Sequence, residues 1–290
     1  MTCTHCSRRD FIRLALGAGA AFAWPFHGIT GGLLEAAEPK AKAKAMILLW
    51  MQGGPSQLDT WDPKPGAETG GPVKGIDTRC EGTRISDALP RLAKVSDKLA
   101  IVRSLHSKDP NHDTARYLLH TGYRVDSTVK HPHLGALIAK ELGQTEGLPA
   151  CITVGNDPGV DAGYLPPELA PLFIEKIDQP LEDLELPRGV NRFRLEDREA
   201  LLEVQNAAFA KSHADRRVEQ HREAQKRALA FVKSEHVKAF DVTEEPEKTR
   251  TLYGDAPFGK ACLMARRLVE EGGKFVEVTL ADWDTHADNH

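Results

Sequence analysis

Past its first thirty residues the chain has no apolar run long enough to cross a bilayer. That excludes a membrane span after the start. It also lacks an excess of basic charge. Thirty-eight Lys and Arg stand against 42 Asp and Glu, for a net charge of -4, so nothing electrostatic points to a nucleic-acid partner. Cysteine is scarce, at five residues. Cys3 and Cys6 flank His5 in "CTHC", but no second ligand pair follows at zinc-finger spacing, and the stretch reads as part of a leader. Cys80, Cys151 and Cys262 remain, an odd number that implies no complete disulfide framework, and Cys262 falls on an apolar helix face. Aromatics at 6% and charged residues at 28% make an ordinary globular mixture.

What is present begins with the leader. Ser7-Arg8-Arg9-Asp10-Phe11-Ile12 precedes a mildly apolar, Gly/Ala-rich stretch from Leu14 to Ala23. Twin arginines followed by such a stretch read as a twin-arginine (Tat) export signal over residues 1–37, with small residues near Ala21–Ala23 and Glu35–Ala37 as cleavage points. The expected location is therefore the periplasm or the exterior, with the Tat translocase as a partner. Cargo of that pathway crosses already folded, which suits a protein that loads a metal first. Residues 38–45 form a short polar linker.

At 290 residues the chain suits one large domain, or one domain with an insertion. Continuous apolar runs at Met46–Met51, Lys98–Leu105, around "ACITVG" and at "KFVEVTL" predict strands buried on both faces. Helices are predicted over Ser86–Val95, from a cap at Asp113 or Thr114 to Gly122, over Pro132–Leu142 and over Pro257–Glu271. Such alternation favours an α/β fold with a mostly parallel sheet. Glu196–Ala239 contains no Gly or Pro and is dense in Glu, Arg, Lys, Gln and Ala. It predicts two long helices, or one broken near Ser212, forming a helical hairpin insertion at about 195–240.

Ligand sites in open α/β sheets form beyond the carboxyl ends of the strands. There this chain gathers Gln52, Ser56, Asp59 and Asp62, then His106, Asp109, Asn111, His112 and Asp113, then Asp282, Asp284, His286, Asp288 and His290. Carboxylate with imidazole suits zinc, manganese or iron. His213, His221 and His236 lie on the charged helices and are expected to be solvated, while His131 and His133 flank Pro132 and are expected to be structural.

"LWMQGGPSQLDTWDPKP", "LPRLAKVSDKLAIVRSLHSKDPNHDTARYLLHTG", "AFDVTEEPEKTRTLYG" and "ARRLVEEGGKFVEVTLADWDTH", together with the twin-arginine start, resemble the domain of unknown function 1501 family of exported, sulfatase-like proteins. The resemblance implies a three-layer α/β/α sandwich of the alkaline phosphatase-like kind. It also implies bound divalent metal ions (zinc, calcium or manganese) and hydrolysis of a sulfate or phosphate ester on a small molecule or polysaccharide. On the sulfatase frame, His112 falls where the nucleophile stands, Arg116 where an anion clamp stands, and Leu119-His120-Thr121-Gly122 at the helix end. Thr114 is the nearest hydroxyl. Asp282, His286 and Asn289 match a phosphatase metal-site spacing, while the family's Trp-Asp-Thr-His favours Asp284 with His286. Gln52-Gly53-Gly54 replaces the sulfatase Asp pair, so Asp59 or Asp62 would take that role. Family members continue past residue 290 with further ligand segments, so the chain is expected to be the front part of a longer protein. The expectation is an exported metal-dependent ester hydrolase. The rivals are a binding or structural protein that keeps the fold without turnover, and a scaffold whose hairpin docks an envelope partner.

Overall fold

A computed structural model describes residues 43–177, 189–213 and 216–287, without the side chains of Arg192, Arg216, Arg217 and Gln220. The expected export signal, most of the linker, and Asp288, Asn289 and His290 lie outside the described residues. The described residues divide into two units, residues 56–105 and a larger one made of 43–55 with 106–287.

In the larger unit, four parallel strands run in the order β1-β6-β4-β5: β1 Met46–Met51, β4 Ile152–Val154, β5 Leu172–Ile174 and β6 Phe275–Leu280. Register pairs Leu48 and Thr153 with Glu277, and Val154 with Val278. Because side chains alternate along a strand, β6 sends two residue sets to opposite faces. Val276 and Val278 join Ile152, Val154 and the Ala261, Met264, Ala265 and Leu268 stripe of helix α7, Pro257–Glu270. Phe275 and Glu277 face the other way, against α2 (His112–Thr121) and α3 (Leu134–Leu142). A Cβ on Gly135 would stand 2.5 Å from the Phe275 ring, so α3 sits this close to the sheet only because glycine is there. This unit is a mixed α/β structure with a parallel sheet and helices on both faces. As an edge strand, β1 leaves Ile47 and Leu49 exposed.

The predicted hairpin forms as α4, Arg192–Ser212, and α5, Arg216–Lys233. Asn206 donates to Gln225 at 2.8 Å across it, and Arg222 and Lys233 of α5 pair with Glu203 and Glu199 of α4. Phe231 carries α5 into the core, whereas Phe193, Leu201, Val204 and Phe209 of α4 stay exposed.

The smaller unit holds the antiparallel pair β2 (Gly75–Asp77) and β3 (Arg84–Ser86), plus the short helix α1, Pro90–Ala93. Here the helix expected over Ser86–Val95 shrinks to Pro90–Ala93, with Ser86 closing β3, and Lys98–Leu105 is not a strand. Val102 and Leu105 are among the most exposed apolar side chains, and the segment is tied by Arg103, which donates to the Trp61 and Arg84 carbonyls. An apolar run becomes a buried strand only where a neighbouring strand pairs with it, and none does here. Four elements had no clear signal in the sequence: the three-residue strands β2, β3 and β5, and α6, Glu247–Tyr253.

Candidate metal centre

Two groups of three potential ligands assemble among the described residues, and both belong to the larger unit. One is His112, Asp284 and His286, all exposed. The other is His120, His133 and Glu277, all buried.

The exposed group forms where three chain segments end. Helix α2 begins at His112, behind an Asn111 cap whose side chain accepts from Asp113 N–H and Thr114 N–H; the cap is Asn111, not Asp113 or Thr114. The β1–β6 ladder runs past both strands, since Gln52 N–H donates to the Leu280 carbonyl and Trp283 N–H to that of Gln52. Gln52 is held in turn by Asn156, which donates to its side-chain oxygen at 2.7 Å. Gly53, at φ +112°, lies under the following residue so closely that a Cβ would meet Asp284 N at 2.4 Å. Asp282 turns the chain at φ +70°, the one non-glycine among the described residues with positive φ. Asp284 then lies between two imidazoles. His112 Nε2 is 3.1 Å from one carboxylate oxygen and His286 Nε2 is 2.9 Å from the other. The imidazoles are 62% and 83% exposed, so solvent can satisfy either tautomer and either ring can present a bare nitrogen to an ion.

Of the residues expected at a site, the structure joins His112, Asp284 and His286. His112 lies beside Asp284 and His286, close enough to share an ion with them. Asp282 shapes the turn and is in neither cluster. Asp59 belongs to the smaller unit, where its N–H closes a turn onto Ser56. Arg116, one turn into α2, pairs with Asp113 at 3.0 Å beside Gly159, and its buried Nε–H has no hydrogen-bond partner. Thr114 donates its hydroxyl to Asp109 at 2.6 Å, which ties the first turn to the preceding loop. His236, expected in solvent, pairs instead with Glu271 at 2.7 Å.

The buried group was not anticipated as a group. Glu277 lies fully buried in the middle of β6. One oxygen accepts from His120 Nε2 at 3.0 Å and the other from His133 Nε2 at 2.9 Å. The second ring nitrogens decide what the group is. His133 Nδ1 accepts from Gly135 N–H, as the cap of α3, so its proton sits on Nε2 and is donated to Glu277. His120 Nδ1 faces the Arg116 carbonyl at 2.8 Å and must donate there, so Nε2 needs a second proton to meet a carboxylate. One proton therefore lies between His120 Nε2 and the near oxygen of Glu277, and the His133 imidazole donates to the far oxygen. Burial pushes the Glu277 carboxyl up, but the bonds from His120 and His133 outweigh it and hold it below the ordinary carboxylate value. Both Nε2 atoms are turned to Glu277, so an ion there would have to displace the protons between them. The sequence did hold a signal: a carboxylate inside an apolar strand buried on both faces has to find partners.

A sequence model of one protein family matches residues 43–290, and that family is described as a protein of unknown function, DUF1501. The chain belongs to the DUF1501 family. No curated protein and no solved structure matches it significantly. In this DUF1501 chain the match covers both ligand groups and both units.

Proposed function

We propose that this DUF1501 protein is an exported metal-dependent hydrolase of sulfate or phosphate esters, with an alkaline phosphatase-like, sulfatase-like fold. The observation that carries the reading is the meeting of His112, Asp284 and His286 at the carboxyl ends of β1 and β6 and at the start of α2. Three protein ligands with an open side are the pattern of catalytic metal sites, and structural sites are closed. Two imidazoles with one carboxylate favour zinc or manganese over calcium, which prefers oxygen donors throughout. A bound ion would supply Lewis-acid polarisation of the ester.

The chain's own groups supply the rest. The positive end of the α2 dipole suits a sulfate or phosphate oxygen, with the Asp113 and Thr114 N–H groups already held by the Asn111 cap, and Arg116 sits one turn further in to clamp it. Thr114 is the hydroxyl of that first turn, and it donates a hydrogen bond to the Asp109 carboxylate, which could act as its general base. The twin-arginine start supports delivery to the periplasm or exterior in folded, metal-loaded form.

A second reading is favoured by one feature. His112, on the sulfatase nucleophile position, is engaged with Asp284. An exported binding or structural protein that kept the fold would look the same. Metal analysis of the purified protein, then a panel of aryl and sugar sulfates and phosphates, separates the two. The hydrolase reading expects bound zinc or manganese, turnover on one ester class, and loss of both in Asp284→Ala. Thr114→Ala then distinguishes a protein hydroxyl from direct attack by water. A metal-loaded protein inert on the whole panel overturns the hydrolase in favour of the binding protein.

A further inference from the structure

The buried trio touches every arm of the exposed one. His120 lies on α2 eight residues beyond His112, about 12 Å along the same helix. Glu277 lies on β6, seven residues before Asp284. Trp50 of β1 packs its ring on His120 with centroids 4.4 Å apart, two residues before the Gln52–Gly53 turn that holds Asp284. His133 brings in α3 and stacks edge-on against Phe275, the first residue of β6. Apolar contacts alone would let α2 slide or rotate over β6 with little penalty. Two hydrogen bonds to the two oxygens of one carboxylate fix both motions, because each has a direction as well as a distance.

We infer that His120, Glu277 and His133 act as a positioning latch for the exposed ligands, setting the register of α2 against β6 that brings His112 to Asp284. Glu277 is the hinge-pin of this latch. The inference rests on the metal reading of His112, Asp284 and His286 only for one of its two readouts.

Two substitutions at Glu277 separate positioning from mere filling of the core. In Glu277→Gln, His120 can stay neutral, donating from Nδ1 to the Arg116 carbonyl and accepting the amide N–H at Nε2. His133 Nε2–H then donates to the amide oxygen. Every bond survives without charge. In Glu277→Leu the volume is kept and both bonds vanish.

The first readout is zinc affinity of the purified protein by calorimetry. The second needs no metal: the yield with which a short bis-maleimide bridges Cys residues placed at 112 and 284, mapped by mass spectrometry to distinguish native cysteines. Glu277→Leu is expected to weaken zinc binding about tenfold and to cut cross-linking severalfold, with Glu277→Gln staying within about threefold of wild type on both. If wild type binds neither zinc nor manganese, the metal reading fails and the cross-link alone decides the latch. Should Glu277→Leu not fold, His133→Asn replaces it; it keeps an acceptor for Gly135 N–H, drops only the bond to Glu277, and is expected to lower cross-linking measurably. A folded Glu277→Leu protein, or in its place a folded His133→Asn protein, with wild-type cross-linking overturns the inference.

Discussion

The same three donors, two imidazoles and one carboxylate, occur twice in this molecule and do opposite things. At His120, Glu277 and His133 every ring nitrogen and both oxygens have protein partners, and water is excluded. At His112, Asp284 and His286 the rings are open to solvent and are held by Asp284 alone among the bonds that define the group. Donor chemistry therefore does not make a metal site. What matters is whether a nitrogen lone pair is left over once the fold has taken its hydrogen bonds. The buried group spends its donors on holding α2, α3 and β6 together, and the exposed group keeps its own in reserve.

Substitutions should cut this contrast cleanly. Glu277→Leu strips both imidazoles of a buried partner and is expected to destabilise the fold by about 3 kcal/mol, read by denaturant unfolding. If it instead leaves stability unchanged, the buried group is not what holds these elements. Zinc at a hundred times its dissociation constant should stabilise the wild type by about 2.7 kcal/mol, and a chelator should reverse the gain. The gain should vanish in Asp284→Ala and His112→Ala and survive in Glu277→Gln; survival in Asp284→Ala would move the metal elsewhere.

Gly53→Ala places a Cβ against Asp284 at a backbone angle L residues avoid. It should cost about 2 kcal/mol and weaken zinc binding as well, so a metal effect without a stability effect would contradict the packing seen there.

Acid provides a gentler probe. The Glu277 carboxyl is held below its ordinary value of 4.5, so the folded state binds that proton less readily than the unfolded chain. Its contribution is whole above about pH 4.5 and is lost as the pH falls through the lower folded value. Glu277→Gln should flatten that part of the stability profile, and an identical acid limb in the two proteins would count against an ionised Glu277. Smallest of all, Asp284→Ala without metal should change stability by less than about 1 kcal/mol, because its partners are exposed and water replaces it.

Much of the fold was legible along the chain. Met46–Met51, Phe275–Leu280, the helices ending at Gly122 and Gly143, the hairpin break near Ser212 and the apolar stripe of α7 all carry local period or cap signals, and all formed. Lys98–Leu105 carried the same strand signal and did not form, since no neighbouring strand pairs with it. For the exposed site, Asp284 and His286 are neighbours in sequence, and His112 was placed at a helix start that faces the strand ends. What no local pattern disclosed is that His112 meets Asp284 directly.

The sequence by itself determined the long strands and helices of the larger unit, that its sheet is parallel, and that polar residues crowd the strand ends. These follow from periodicity and from residues that start or stop an element, which are local properties. Only the tertiary structure decided which His meets which carboxylate, because His120 and Glu277 lie 157 residues apart and register is fixed by packing at a distance. The same packing settled which of the two His–carboxylate groups keeps a free nitrogen, since burial removes the water that would otherwise make the two alike.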